Sequence, residues 1–198
     1  MHENRVLLAA MSLDLGGAET HVITLARELA KRGYHVAVAS QGGRLTGELA
    51  KCGVKHYTAP LHSRSPLSLL RAIGDVSRII AAERPALLHA HARIPAWVCK
   101  MAAAGRIPLV TTYHGIYAAG FPWNLVTVPG QLTVAVSEDV ASHFVKHFGF
   151  DPTRIRVVVN GIDTSLFRPG IDPGTAAGRH SINGSPKVLH VSRLSGQF

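Results

Sequence analysis

The chain has 198 residues, enough for one domain with a sizeable core, or one domain and part of a second. Hydrophobic residues make up 46% and charged residues 17%, which excludes a disordered chain; aromatics at 6% argue against a β-sandwich and against an RNA-stacking surface. The net charge of +9, with 12 histidines to add to it in mild acid, favours anionic partners: nucleotides, phosphosugars, anionic lipid or nucleic acid.

Cys52 and Cys99 fall in different predicted helices and are too few for a disulfide framework or a cysteine zinc site, so a reduced, cytoplasmic setting is the default. The short apolar run at the N-terminus ends at Asp14 rather than at a cleavage site. No apolar run approaches the ~18 residues of a spanning helix, so signal peptide and membrane span are both poor readings.

Arg5 to Met11 is a continuous apolar run, as expected of a strand buried on both faces. Ser12 to Ala18 is a loop carrying Gly16 and Gly17. Glu19 to Lys31 reads as a helix, with Val22, Leu25, Ala26 and Leu29 on one face and Gly33 as the stop. Tyr34 to Ser40 is a strand, Thr46 to Cys52 a short helix and Val54 to Ala59 a third strand. Ser65 caps a long helix, Pro66 to Glu83, whose apolar stripe is Leu69, Ile73, Val76 and Ile80; Arg84-Pro85 ends it. A strand over Ala86 to Ala90, a helix over Pro95 to Ala104 and a strand over Leu109 to Tyr113 follow. Gly115 to Gly130 is a loop longer than usual connections, and such loops tend to serve function. Leu132 to Val136 is a strand, Ser137 caps a helix running through Phe148 to Gly149, and Ile155 to Val159 is a strand.

This alternation predicts an α/β fold: a Rossmann-like parallel sheet with helices on both faces, three layers in all. Such sheets bind ligands beyond the carboxyl ends of their strands, where helix N-termini point. The chemistry is therefore expected near Gly16-Gly17, His91 and His114. From Pro169 to Lys187 the chain is rich in glycine and proline with no apolar period, the mark of a linker. Lys187 to Val191 is one more strand, without a crossover or a neighbour.

The glycine loop Leu13 to Thr20 lets backbone approach a ligand, and the helix end at Gly17 to Glu19 suits a phosphate. It is neither a GxGxxG fingerprint nor a P-loop. His89 and His91 lie two apart on one side of a strand end and, with His114, are conceivable metal ligands. No carboxylate accompanies them and no DxD occurs in the chain, so hydrogen-bonding pocket histidines are the preferred reading, with no metal and no cofactor. His114, at the end of its strand, is placed to bond a sugar hydroxyl or orient a leaving phosphate. Ser137-Glu138-Asp139 is first of all a helix cap, with ligand binding by Ser137 as the lesser reading. Arg71 and Arg78 share a helix face, near Arg64, either as a solvated basic face or as a dock for an anionic membrane. No nucleic-acid-binding motif is present, so no nucleic-acid partner is expected.

Taken in order, LGGAETHVITLARELAKRGYHVAVAS, HAHARIPAW, TTYHG, AVSEDVA, VVVNGIDTSLFRP and VLHVSRL resemble the N-terminal half of a family 4 (group 1) retaining glycosyltransferase of GT-B fold. The resemblance covers nearly the whole chain. It implies an acceptor-side domain over residues 1–168, a linker over 169–186, and the start of a nucleotide-sugar-binding domain over 187–198. It implies that Gly16 and Gly17 lie by the donor diphosphate and acceptor and that His114 contacts the donor sugar as the catalytic-site histidine; Glu19 at the same helix end, His91 and Ser137 are the further substrate-binding candidates read from the residues themselves. It further implies that Arg193 opens the donor-phosphate site of the second domain. Family members carry a lysine shortly after that arginine; here the sequence reads Ser195-Gly196-Gln197-Phe198. The expected partners are a nucleotide-sugar, held mainly by the other half, and a glycan or lipid acceptor of the cell envelope. The expected location is the cytoplasm or the inner face of the cell membrane, and the chain alone is expected to be inactive. A non-catalytic domain binding anionic lipid or polysaccharide is the rival reading.

Overall fold

The computed structural model describes residues 4–165 and Arg168. The predicted linker, the strand over Lys187 to Val191 and Arg193 lie outside the described residues. A compact unit runs through Asn160, and Gly161 opens a second unit. Within the described part of that second unit, Asp163 Oδ1 accepts from the Ser165 N–H and Oγ–H at 2.9 and 2.6 Å.

The first unit alternates strand and helix throughout: β1 (Arg5–Ala9), α1 (Gly17–Lys31), β2 (His35–Ser40), α2 (Thr46–Lys51), β3 (Lys55–Thr58), α3 (Pro66–Glu83) and β4 (Leu87–His91). There follow α4 (Arg93–Ala103), β5 (Leu109–Tyr113), α5 (Trp123–Val126), β6 (Leu132–Ala135), α6 (Glu138–Phe148) and β7 (Ile155–Val157). All strand pairs are parallel, in the order β3-β2-β1-β4-β5-β6-β7. The three-layer α/β/α expectation holds.

Strand alternation assigns the two faces. Leu7 and Ala9 of β1, with Leu88 and Ala90 of β4, pack against α3 and α4 through Val76, Ile79, Val98 and Cys99. Val6 and Leu8 face the other way, onto Val22, Ile23 and Ala26 of α1 and Leu49 of α2. A third cluster joins Tyr113, Phe144 and Phe150 where α6 covers β5 to β7. The buried side of α1 therefore centres on Val22, Ile23 and Ala26, while Leu25 and Leu29 are only partly buried at its margin. On α3, Ala72, Val76 and Ile79 are buried, and Leu69, Ile73 and Ile80 flank them.

The ends of the elements follow local chemistry. Ser65 Oγ accepts the Ser68 N–H at 3.2 Å, Pro66 takes the first helical position, and Arg84 closes α3 at φ 48 before Pro85. Gly149 ends α6 at φ 66, the left-handed conformation that glycine adopts without cost. The strands are shorter than their apolar runs: β1 stops at Ala9 and β7 at Val157, although the Val158 N–H still bonds Ala135 O at 2.9 Å. A single helical turn, α5, interrupts the long loop. No described helix is long and apolar enough to cross a membrane.

The two poles of the sheet differ in chemistry. At the amino end of the strands, buried Glu83 collects Lys55 Nζ and His35 Nε2, each at 3.0 Å, and the Tyr57 hydroxyl. Its backbone carbonyl accepts from Arg5 at 2.8 Å. At the carboxyl end there is a group of histidines.

Candidate functional site

Sheet order reverses direction between β1 and β4, since α1 leads outward to β2 and α4 leads the other way to β5. The crevice above that point is the binding locus of open α/β sheets, and three structural devices converge on it. The first is the turn from β1 into α1. Gly16 is the N-cap residue, and α1 starts at Gly17, two residues earlier than the periodicity indicates. The backbone N–H groups of Gly17, Ala18 and Glu19 therefore form the unpaired first turn of a 15-residue helix, with the positive end of its dipole. A methyl group added at Gly17 meets no atom within 4 Å, so the space there is open to a ligand.

This turn is staked in place by the loop after β2, which sequence reasoning passed over. The Leu13 N–H bonds Gly42 O at 2.8 Å, the Leu45 N–H bonds Leu13 O at 2.8 Å, and the Arg44 N–H bonds Asp14 Oδ1 at 3.2 Å. Gly43, at φ +145, packs so tightly that an added Cβ would sit 2.4 Å from Leu13 C. Both its conformation and its contact require glycine.

The second device is the turn from β4 into α4. Ala92 adopts φ 83 and ψ 168, a region populated essentially by glycine. Its N–H is held by Thr112 O at 3.1 Å. The strained peptide starts α4 at Arg93, two residues before the predicted Pro95, and keeps buried His91 at the last position of β4. The Arg93 guanidinium lies over the rings of Tyr117 and Trp123 at 5.1 and 5.2 Å and donates to Ala118 O at 2.8 Å. It thereby fastens the long loop after β5 against α4.

The third device is the histidine group. His91 Nδ1 lies 3.1 Å from His114 Nε2, and their rings stack with centroids 5.4 Å apart. His21, one turn into α1, stands 5.5 Å from the His91 ring and 5.0 Å from the His114 ring. One ring nitrogen from each of His21, His91 and His114 falls within 4.8 Å of the other two. His89 stacks below His91 at 4.3 Å, but its Nε2 pairs with Thr112 Oγ1 at 2.7 Å. The group that meets at the rim is therefore His21, His91 and His114 rather than the alternative set of His89, His91 and His114. Strand alternation does put His89 and His91 on one side, yet His89 sits too deep along β4 to reach the rim. The sequence signal for His21 was its place four residues after Gly17, on the same side of α1's first turns.

Burial holds all four imidazoles neutral at pH 7. It pushes His89 and His114 down to about 4, helped by the neighbouring imidazoles, and lowers His91 well below its usual value. His21 is also lowered by burial, against a hydrogen bond with the Asn160 side chain that raises it. Such rings serve as neutral hydrogen-bonding groups or lone-pair donors; they are poor proton donors at neutral pH. His91 Nε2 and His114 Nδ1 are buried with no hydrogen-bond partner among the described residues.

Of the other expected positions, Glu19 is half-buried in the first turn of α1. Ser137 lies at the same edge of the sheet, where its Oγ accepts the Val140 N–H at 3.3 Å as the N-cap of α6. Arg71 and Arg78 are exposed on α3, and both lean on Asp75.

A sequence model described as Glycosyltransferase Family 4 matches residues 15–166. The D-inositol 3-phosphate glycosyltransferase of Frankia alni is 30% identical over 91% of this chain and 52% of its own length. That of Acidothermus cellulolyticus is 28% identical over 79% of this chain and 42% of its own length. A glycosyltransferase crystal structure from Rickettsia africae superposes with TM-score 0.78 at 23% identity, covering 91% of this chain and 50% of that one. The Anabaena protein HepE, solved with UDP and glucose, gives TM-score 0.73 at 21% identity over 90% of this chain and 50% of its own. The chain spans about half the length of the curated relatives it matches.

Proposed function

The chain belongs to glycosyltransferase family 4, and from that premise we propose that it forms the acceptor-side half of an enzyme moving a sugar from a nucleotide-sugar to an acceptor hydroxyl with retention of configuration. The observation that carries the reading is the meeting of the α1 N-terminus with His91 and His114 at the β1–β4 switch point. The N–H groups of Gly17 to Glu19 stabilise charge developing on the departing phosphate, where preorganised donors lower the barrier most. Neutral His114 and His91 bond hydroxyls of the sugar and orient its reacting carbon towards the acceptor. The histidine cluster contains no carboxylate, in keeping with transfer on one face of the sugar without a covalent intermediate. The donor nucleotide is held mainly by a second domain, in which Arg193 opens the phosphate site. The acceptor is a hydroxyl of a phosphorylated polyol or an envelope glycan or glycolipid. The names of the curated relatives make D-inositol 3-phosphate the first acceptor to try.

The test is a transfer assay on the 198-residue chain and on the same chain continued through a second domain, paired with thermal shifts. D-inositol 3-phosphate stabilises the isolated chain, and only the two-domain form turns over UDP-sugar. Turnover by the isolated chain at ordinary enzyme rates would show that the donor binds in this half and sink the assignment.

A second feature favours work at a membrane. Exposed Leu67 and Leu70 share one face of α3 with Arg71 and Arg78, a mix of apolar and basic side chains suited to an anionic lipid interface on the cytoplasmic side. Asp75 offsets part of the basic charge. Flotation with anionic vesicles should carry the protein up, and the R71E/R78E variant should stay behind; equal flotation of both removes this reading.

A further inference from the structure

We propose that His21 is a substrate-binding residue that receives the acceptor hydroxyl, and that Asn160 is the positioning residue that fixes the tautomer of its ring. The role rests on the transfer reading, which occupies His91, His114 and the start of α1 and leaves His21 unused. Transfer with retention and without a covalent intermediate brings the incoming oxygen to the face of the sugar that the phosphate is leaving. The phosphate is held by the N–H groups of Gly17 to Glu19, so the acceptor oxygen must also lie beside the first turns of α1. His21 stands there, half-buried, with its ring 5.5 Å from that of His91 and 5.0 Å from that of His114. The other polar side chains of the turn are placed elsewhere. Thr20 Oγ1 is committed to Gly16 O at 2.9 Å, and Glu19 projects about 200° around the helix from His21.

The unpaired nitrogens His91 Nε2 and His114 Nδ1 are left for the hydroxyls of the donor sugar, so the imidazoles divide between the two substrates. The hydrogen bond with the Asn160 side chain raises the His21 pKa, as a bond donated by the ring does. One ring nitrogen therefore gives its hydrogen to the Asn160 amide oxygen, and the other keeps a lone pair for the hydroxyl. Asn160 is exposed just past the end of β7, so a distant strand sets the tautomer of a residue on α1. Burial outweighs that bond and lowers the His21 pKa, which makes the ring a poor base at pH 7. It accepts a hydrogen bond and aims the oxygen at the sugar carbon without taking the proton. The new carbon–oxygen bond forms as the bond to the phosphate oxygen breaks, and the proton of the hydroxyl leaves with the phosphate.

Two measurements test the pair. In the chain continued through a second domain, transfer from UDP-glucose or UDP-N-acetylglucosamine to D-inositol 3-phosphate is compared with slow hydrolysis of the same donor, where water replaces the acceptor. His21→Ala lowers kcat/KM for the acceptor about ten-fold or more and leaves hydrolysis within about two-fold of wild type. In the 198-residue chain, NMR of the ring nitrogens shows His21 in a single neutral tautomer at pH 7. Asn160→Ala, at an exposed position, turns that into a mixture while the other imidazole signals stay in place and the chain stays folded. Equal loss of transfer and hydrolysis in His21→Ala would make His21 a donor contact, and unchanged transfer would make it a bystander. Mixed tautomers in the wild type, or an unchanged tautomer in Asn160→Ala, would remove the role of Asn160. Each of these overturns the proposal and leaves the transfer reading standing, whereas a wild type that neither transfers nor hydrolyses either donor removes that reading and this role together.

Discussion

Glu83 offers the most quantitative test of how this sheet is held together. Its side chain is 7% exposed, and its carboxylate oxygens accept from Lys55, His35 and Tyr57, which tie α3 to the starts of β2 and β3. The Tyr57 hydroxyl first, then Lys55 and His35, pull its pKa from 4.5 to about 2, against the burial that raises it. At ~1.4 kcal/mol per tenfold change in proton affinity, that difference corresponds to roughly 3 kcal/mol of folding stability. Lys55 and His35 are 63% and 55% exposed, so water screens the pairs and about 2 kcal/mol is the expected value. Because the folded-state pKa is the lower one, this stability is fully present above pH ~4.5 and lost as pH falls from there towards 2. Urea unfolding of wild type and Glu83→Gln at pH 7 should differ by about 2 kcal/mol, and the gap should shrink to about 0.5 kcal/mol by pH 2.5. Equal midpoints at pH 7, or a gap unchanged at pH 2.5, would refute the account of Glu83 as an ionised hub.

Three further outcomes follow from the carboxyl pole. Gly43→Ala forces a methyl into the Leu13 backbone and should cost about 3 kcal/mol in denaturant unfolding while weakening phosphate binding at the α1 N-terminus, seen by thermal shift. Ala92→Gly relieves a backbone conformation worth about 1–3 kcal/mol and gives back up to ~1 kcal/mol in chain entropy, so the melting temperature should rise by roughly 2–4 °C, with faster hydrogen exchange at Arg93 and Ile94. The imidazoles of His89, His91 and His114 resist protonation when folded, so stability should fall as pH drops from about 6.5 towards 4. His89→Gln should flatten that part of a melting-temperature profile.

The elements were legible where the chain punctuates them. Ser65-Pro66 and Arg84-Pro85 fix both ends of α3, and Ser137 and Gly149 fix α6, because caps are local chemistry. The start of α4 was not legible, since its N-cap is an alanine in a glycine-like conformation that only the surrounding packing imposes. The same divide runs through the site. The loop glycines and His114 follow from strand ends and turn residues, whereas the pairing of His21 with His91 depends on how α1 lies over β4. The clamp of Gly42 and Gly43 on Leu13 links residues far apart in sequence, and no periodicity announces it.

The central place of β1 also bears on how the molecule is made. Arg5–Ala9 leaves the ribosome well before β4, Leu87–His91, which forms one of its flanks. Until that later segment emerges, an apolar ribbon with one unsatisfied margin must be shielded by α1 and β2 alone. Nascent chains arrested before Leu87 should therefore be the species most prone to clump and to recruit chaperones, and arrest beyond Tyr113 should relieve both.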